Sequence, residues 1–491
     1  MELARKVGRL FSIAARALTP DVVRHVRDNH VGGVIWFKTT TEVAAHANAE
    51  LQAMAGEPLL ISADLESGMG MRFTDATWWP PAMALAATGD VTLAEEQARV
   101  TAVEARRVGV NHVLAPVCDV NVDPANPVIN TRSFGEDPGE VARFVAAYVR
   151  GIQEGGCLAT AKHFPGHGDT HVDSHRALPV LDVTRDRLEQ VELVPFRAAI
   201  DAGVASVMIG HLAVPCLDRT PVPVRATFEN VWGTSSDEVT HGGTMPATLS
   251  APVVDLLRQL GFRGLVVSDA FDMGGLAAHF DPGEAAVRAI EAGEDQVLYS
   301  PDTDAAIAAV LAAVLSGRLS RARIDDAHEK LRMAANRSAS FDPSPEPRRA
   351  GVDADFIARK SIALVRDTRG LLPLRATNLA VRVFSDDPLE LVPPDSGNID
   401  TADVVLLFLG ARPRSGAGRI AIPLEARQIA ERFAQKTIAV SFGSPYILRE
   451  LGEVSTFICA WGIQPVLQKA AMAAIRGELE MTGRLPVTIG E

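Results

Sequence analysis

Residues 157–175, CLATAKHFPGHGDTHVDSH, decide how the chain is read. The segment opens as an apolar run and then changes character at Lys162. Four of the protein's 12 histidines follow, at 163, 167, 171 and 175. A spacing of four would stack them on one helical face, as metal ligands often are. Pro165 removes a backbone donor, however, and Gly166 and Gly168 weaken a helix further. The stretch therefore reads as a strand followed by a structured loop rich in titratable groups.

The same unit, apolar run then polar loop then Ala/Arg/Glu-rich helix, recurs along the first two-thirds of the chain. The apolar runs are Leu10–Ala15, Gly33–Phe37, Leu59–Ala63, His112–Ala115, Leu158–Lys162, Ser206–Gly210, Leu265–Ser268 and Gln296–Tyr299. Helical stretches lie between them, among them Thr41–Ala55, Leu93–Arg107, Pro138–Glu154 and Pro282–Ala292. Strands alternating with helices imply parallel pairing, and eight of them predict a closed (β/α)8 TIM barrel over residues 1–337. The first run is ambiguous, since Val7–Leu18 fits a helix as well. Val214–Met245 breaks the rhythm with Pro, Gly, Ser and Thr, and fits either an exposed insertion or a lid.

Residues 338–354 read as a linker, opening on the proline-rich SASFDPSPEPRRA. A second alternation over 355–491 predicts a smaller α/β sandwich domain. Its strands are expected at Ala380–Phe384, Val404–Leu409, Thr437–Ser441 and Thr456–Ala460, with helices at Leu424–Phe433 and Gln464–Ile475.

A length of 491 residues exceeds one ordinary core, in agreement with two domains. The 47% hydrophobic and 22% charged composition is that of a globular protein. A net charge of −13 without a basic run argues against nucleic acid or an anionic membrane as partner. Cys118, Cys157, Cys216 and Cys459 are far apart in apolar surroundings, which suits buried thiols rather than disulfides. The N-terminal stretch lacks the layout of a secretory signal, and no apolar run is long enough to span a bilayer. A cytoplasmic location is expected.

Three constellations carry candidate chemistry. In Asp173-Ser174-His175 the carboxylate can accept from one imidazole nitrogen, leaving the second to exchange a proton with a substrate. By itself the pattern also fits a surface pair. Asp269 ends a buried apolar run, a costly place for a carboxylate without a task, while Asp272 suits a cap for the next helix. Asp64, Glu66 and Arg72 follow the third run, and Arg132 and His211 follow others. Each has an ordinary reading alone, but in a barrel those strand ends converge on one mouth. His167 and His171 are read as builders of the loop, and Trp78-Trp79 as buried packing rather than a sugar platform.

The motifs KHFPGHGDTHVDSH (162–175), PATLS (246–250) and GFRGLVVSD (261–269) resemble glycoside hydrolase family 3, and within it the bacterial β-N-acetylglucosaminidase (β-hexosaminidase) branch that acts in peptidoglycan recycling. FGSPY (442–446) and GRLPVTI (483–489) look like that family's second domain. The resemblance implies a retaining double displacement with Asp269 as nucleophile and His175, held by Asp173, as acid/base. It also implies sugar contacts from Asp64, Arg72, Arg132, Lys162 and His163, and no metal or other cofactor. Where the family shows Glu-Gly-Gly and a basic residue, this chain has Glu66-Ser67-Gly68-Met69.

The expected partner is a small soluble glycan such as a muropeptide or chitin fragment. Because neutral imidazole does not repel an anion, phosphate is a second candidate acceptor, which would make the enzyme in part a phosphorylase. A β-glucosidase or β-xylosidase of the same family is the alternative within the class, disfavoured by the Asp-Ser-His segment. A metal-dependent barrel hydrolase and a non-catalytic sugar-binding protein are the alternatives outside it.

Overall fold

A computed structural model describes residues 2–225, 243–339 and 351–490. The eight expected apolar runs are the eight strands of one closed parallel barrel. They are β1 (Phe11–Ala15), β2 (Gly33–Trp36), β3 (Leu60–Ala63), β4 (His112–Val113), β5 (Leu158–Phe164), β6 (Ser206–Ile209), β7 (Leu265–Ala270) and β8 (Gln296–Leu298). The ambiguous first run divides: a helix over Glu2–Arg9 stops before it, and Phe11–Ala15 pairs with both β2 and β8. Several outer helices start where the sequence supplies a cap. Asp90, Asp137 and Asp281 each accept from a first-turn N–H of Val91–Arg107, Pro138–Glu154 and Pro282–Ala292. The last two also carry proline within the first turn, where its missing donor costs nothing.

β5 runs two residues past the expected Lys162 and stops before Pro165. Beyond it the chain cannot coil into a helix. Gly166 sits at φ 131°, and a Cβ on Gly168 would lie 1.7 Å from the carbonyl oxygen of Val120. The loop is thus pressed against the neighbouring strand connection, and only glycine fits.

Inside the barrel a polar layer replaces the usual apolar one. His112 Nδ1 is 3.1 Å from Ser62 Oγ, and its Nε2 is 2.8 Å from both Thr160 Oγ1 and Ser206 Oγ. Burial lowers the His112 pKa to about 4, so the ring is neutral. Side chains alternate along a strand, so the next inward positions above Ser62 and Thr160 are Asp64 and Lys162. The polar layer is the floor on which the charged mouth rests.

The second unit is a mixed five-stranded sheet. Its strands are β9 (Ala363–Asp367), β10 (Leu379–Phe384), β11 (Val404–Leu409), β12 (Thr437–Ser441) and β13 (Thr456–Cys459), in the order β9-β13-β12-β11-β10. Four were expected. The fifth, β9, pairs antiparallel with β13 at the edge, and its half-exposed residues lack a clear apolar run. The unit packs on the barrel: Leu407, Leu409, Phe457 and Trp461 share a core cluster with Met83, Ala84 and Ala87. The opposite face is covered by the helix Pro465–Arg476.

Most of the expected linker, 340–350, lies outside the described residues, as does 226–242 of the suspected lid. The lid's described ends, Pro221–Val222 and Gly243–Thr244, pair as a short antiparallel ribbon. No described helix is long and apolar enough to cross a membrane. Cys118, Cys157 and Cys459 are buried thiols, while Cys216 is partly exposed.

Glu294, just before β8, is fully buried and neither carboxyl oxygen has a hydrogen-bond partner among the described residues. Burial pushes its carboxyl well above the usual range, with Asp295 adding and Arg323 opposing. A folded pKa above the unfolded one favours the fold at low pH, and that contribution is lost as pH rises towards the folded value. Glu294→Gln, which cannot ionise, is therefore expected to gain stability over the wild type between about pH 5 and pH 8. Urea midpoints of both proteins at the two pH values check this; a pH-independent difference would refute it.

Candidate active site

The C-terminal ends of the strands carry a buried chain of alternating charges. Lys162 Nζ, 2% exposed, donates to Asp64 Oδ1 at 2.8 Å and pairs with Glu66 Oε1 at 2.7 Å. Asp64 also accepts from Arg72, and Glu66 takes a bidentate pair of bonds from Arg132 at 2.7 and 2.8 Å. Two carboxylates and three cations are thus linked in a row. Burial alone would raise both carboxyls, but Lys162 with Arg72, and Arg132 with Lys162, hold Asp64 and Glu66 well below the usual range. The same carboxylates outweigh the desolvation of Lys162 and raise its pKa, so Lys162 and Arg132 face the two carboxylates as charged groups at neutral pH.

Each member is positioned by local chemistry. Arg72 follows a short turn, Met69–Met71, and its guanidinium lies 5.3 Å from the centre of the Phe37 ring. Gly68, at φ 80°, allows that turn; a Cβ there would fall 2.2 Å from the Trp79 ring. Trp79 is buried, and Trp78 Nε1 donates to Ser67 Oγ at 3.1 Å. Only Trp79 is buried as expected; Trp78 is partly exposed against the core of the second unit, and Ser67, where the family pattern has glycine, is the acceptor that anchors it. Tyr148 donates to the Glu66 carbonyl at 3.0 Å. Arg132 ends a short turn, Asn130–Arg132, in a segment that Asn126 ties to the next loop by donating to the His167 carbonyl at 2.8 Å.

His163 stands apart from this row. Its Nδ1 donates to Asp119 Oδ2 at 2.8 Å, and Asp119 Oδ1 accepts from the His167 N–H at 2.7 Å. Asp119 is fully buried and fixes both the imidazole and the start of the loop.

The remainder of the 165–178 loop is folded across the mouth. Asp173 Oδ1 accepts from the His175 ring Nδ1 and from the His175 backbone N–H, each at 2.9 Å. The loop is fastened to the chain after β7, where Gly274 N donates to His175 O and Gly275 N to Ser174 O, both at 2.9 Å. A contact also comes from the second unit, whose Gly418 N–H reaches Asp173 Oδ2 at 3.5 Å. Burial raises the Asp173 carboxyl, but the His175 ring and these N–H groups outweigh it and hold it low. His167, buried and lowered to about 4 by that burial, bonds Thr170 and Ser174 within the loop, while His171 is exposed. The loop-building reading holds for His167. Among the described residues no three His, Cys, Asp or Glu side chains are arranged to hold a metal ion.

Asp269, the last residue but one of β7, is partly exposed, with Oδ1 accepting from the Ala270 N–H at 2.8 Å. Burial would raise its carboxyl; His163, His211, the Ala270 N–H and His175 outweigh it and hold it below the usual range. Those influences bring Asp269, His163, His211 and His175 into one electrostatic neighbourhood. Asp272 is buried but does not cap the following helix, whose N-cap is Met273 without a side-chain bond. Glu66 was named at the third strand end but given no role from sequence, and Asp119 was not singled out. The Asp64–Glu66 spacing at a strand end was the available signal for the first; nothing local marked the second.

The arrangement offers a row of buried charges able to bind several hydroxyls, an ionised carboxylate at a strand end, and a carboxylate-held imidazole on a loop across them. Residues 2–334 match the family model described as the glycosyl hydrolase family 3 N terminal domain. The chain is 32% identical over 537 residues to a beta-N-acetylglucosaminidase/beta-glucosidase of Cellulomonas fimi, covering 98% of this chain and 93% of that one. It is 33% identical over 307 residues to a beta-hexosaminidase of Nitrosospira multiformis, covering 60% and 81%. Among solved structures it superposes on a beta-N-acetylglucosaminidase from Paenibacillus sp. str. FPU-7 with a TM-score of 0.84 at 31% identity, over 100% of this chain and 99% of that one. The protein is a member of glycosyl hydrolase family 3.

Proposed function

We propose that the protein is a retaining exo-β-N-acetylglucosaminidase that removes terminal β-linked N-acetylglucosamine from small soluble glycans. The observation that carries the proposal is the Asp173–His175 pair pinned across the same mouth in which Asp269 lies ionised. The relatives named for β-N-acetylglucosaminidase and β-hexosaminidase activity support the choice of sugar. Muropeptides or chitin fragments, met in the cytoplasm, are the substrates we favour, and the barrel of residues 1–337 is the catalytic domain.

In the first step Asp269 forms a bond to the anomeric carbon as the bond to the leaving oxygen breaks. The bonding pair goes to that oxygen, which takes a proton from the His175 imidazolium. Asp173 keeps the ring oriented and stabilises its charged form. In the second step neutral His175 takes a proton from the acceptor, whose oxygen displaces Asp269. Asp64, Arg72, Arg132, Lys162 and His163 hold the sugar: carboxylates accept from its hydroxyls and cations donate to them. Since the acceptor meets neutral imidazole, phosphate can take the place of water and yield the sugar 1-phosphate.

Four measurements test this. Asp269→Ala is expected to lower turnover of an aryl β-N-acetylglucosaminide on the order of 10³-fold or more, and undiminished activity would refute the nucleophile. His175→Ala should lose about 10²–10⁴-fold on a substrate with a poor leaving group and far less on a dinitrophenyl glycoside, which leaves without a proton; equal losses on both contradict an acid role. Incubation of N-acetylglucosamine disaccharides of cell-wall and chitin origin, with and without phosphate, should give free sugar in one case and sugar 1-phosphate in the other. Absence of the phosphate ester removes the phosphorylase reading. Finally, Glu66→Gln leaves a buried excess of positive charge and is expected to cost about 3–5 kcal/mol of stability while raising KM, read by urea unfolding and kinetics.

A further inference from the structure

The residue that follows Asp269 is held through both of its backbone polar groups. Its N–H, on Ala270, donates to Asp269 Oδ1 at 2.8 Å, and the Ala270 carbonyl lies 2.9 Å from His211 Nε2. A carbonyl can only accept, so Nε2 of His211 carries the hydrogen. The other ring nitrogen, Nδ1, is 2.8 Å from Thr248 Oγ1. Burial lowers the His211 pKa, and in the neutral ring Nδ1 is an acceptor, so Thr248 donates to it. Both side chains are fully buried: His211 lies beyond β6 against the Phe271 ring at 5.8 Å, and Thr248 lies in the short turn Ala247–Leu249. Hydroxyl, imidazole, the Ala270 backbone and the carboxylate thus form one series of contacts ending on Asp269. Oδ2, the oxygen left to attack, has no hydrogen-bond partner among the described residues.

We propose that Thr248 and His211 are positioning residues that aim the Asp269 carboxylate through the backbone of Ala270. The inference rests on Asp269 being the nucleophile. A side-chain carboxylate at a strand end turns about two bonds, and one hydrogen bond to the next N–H orients it only if the backbone of that residue is itself fixed. His211 fixes Ala270 from the far side of its Cα, through the carbonyl of the following peptide, whose N–H, on Phe271, donates to the Leu298 carbonyl at 3.1 Å. Thr248 in turn fixes the tautomer that lets His211 donate there; with Nδ1 protonated and Nε2 bare, two lone pairs would face each other and the Ala270 peptide would rotate away. Neither residue touches the sugar in this role, so the loss on substitution falls on attack rather than on binding.

The test uses the full-length protein and a dinitrophenyl β-N-acetylglucosaminide, whose leaving group needs no acid and so reports attack by Asp269 alone. Thr248→Val, which keeps the shape and removes the hydroxyl, is expected to lower kcat/KM by about 10- to 100-fold. The inhibition constant for N-acetylglucosamine should stay within about twofold, and Thr248→Ser should recover activity to within about threefold of wild type, because the donor is restored. His211→Phe, which keeps a ring beside Phe271 without a donor, should repeat the loss and decides the matter if the valine variant does not fold. Wild-type kcat/KM in the valine variant overturns the inference. An equal loss of N-acetylglucosamine affinity also overturns it, by making Thr248 part of the binding surface, and so does a serine variant as impaired as the valine one. Asp269→Asn run in parallel separates the two layers: if it stays active the nucleophile reading falls and this inference with it, whereas an inactive Asp269→Asn beside an unimpaired Thr248→Val removes only the positioning role.

Discussion

Everything at the mouth of this barrel depends on keeping charges ionised where water is scarce. Lys162 is almost wholly buried, and Asp64 and Glu66 lie beside it. Moving such groups out of water one at a time costs several kcal/mol each, so the row persists only because every member has partners on both sides or nearly so. Arg72 and Arg132 close its two ends. The row also explains the unusual barrel interior. The His112–Ser62–Thr160–Ser206 layer lies one residue pair below it and offers hydroxyls and a neutral ring instead of hydrocarbon. Because the row links β3, β5 and the 130–132 turn, it holds sequence-distant segments in one arrangement before any sugar arrives.

The loop after β5 shows how the same economy is reached with flexible material. Proline and glycine keep residues 165–178 out of a helix, and their fixing comes from outside. Asp119 takes the His167 N–H at one end, and Gly274 and Gly275 take the His175 and Ser174 carbonyls at the other. The second unit adds the Gly418 contact on Asp173, and Tyr446, in its FGSPY motif, accepts from Asn121 at 2.9 Å beside β4. The second sheet is therefore coupled to the side that bears the imidazole, and not merely attached to the barrel's outer helices.

Much of this was legible in the sequence, for a physical reason. Strands buried in a parallel barrel appear as short apolar runs, and the residue ending such a run faces the mouth; Asp64, Lys162 and Asp269 stand out on that ground alone. Asp173 and His175 are two residues apart and find each other locally. Asp119 was hidden because its partners, His163 and His167, are more than forty residues away, and a lone acid in APVCDVN has no periodic signature. Glu66 was masked by the turn that carries it, since its meaning comes from Arg132 sixty-six residues on. Strand β9 escaped because edge strands that pair on one side bury too little to show a pattern.

The proposed use of an imidazole where most retaining glycosidases place a carboxylic acid has a charge argument behind it. Under the proposed assignment the resting pair is Asp269 carboxylate with His175 imidazolium, and its charges cancel. Glycosylation converts the first to an ester and the second to a neutral ring, so the pair again carries no charge. With a carboxylic acid in that position the intermediate would hold a carboxylate facing the incoming acceptor. Two like charges 4 Å apart in a surroundings of intermediate dielectric repel by about 4 kcal/mol, close to a thousandfold in rate for an anionic acceptor. The remaining charge, on Asp173, sits on the Nδ1 side of the ring and is occupied by the His175 and Gly418 N–H groups. The dyad thereby supplies a base without presenting an anion, and this separates the choice of acceptor from the chemistry of cleavage.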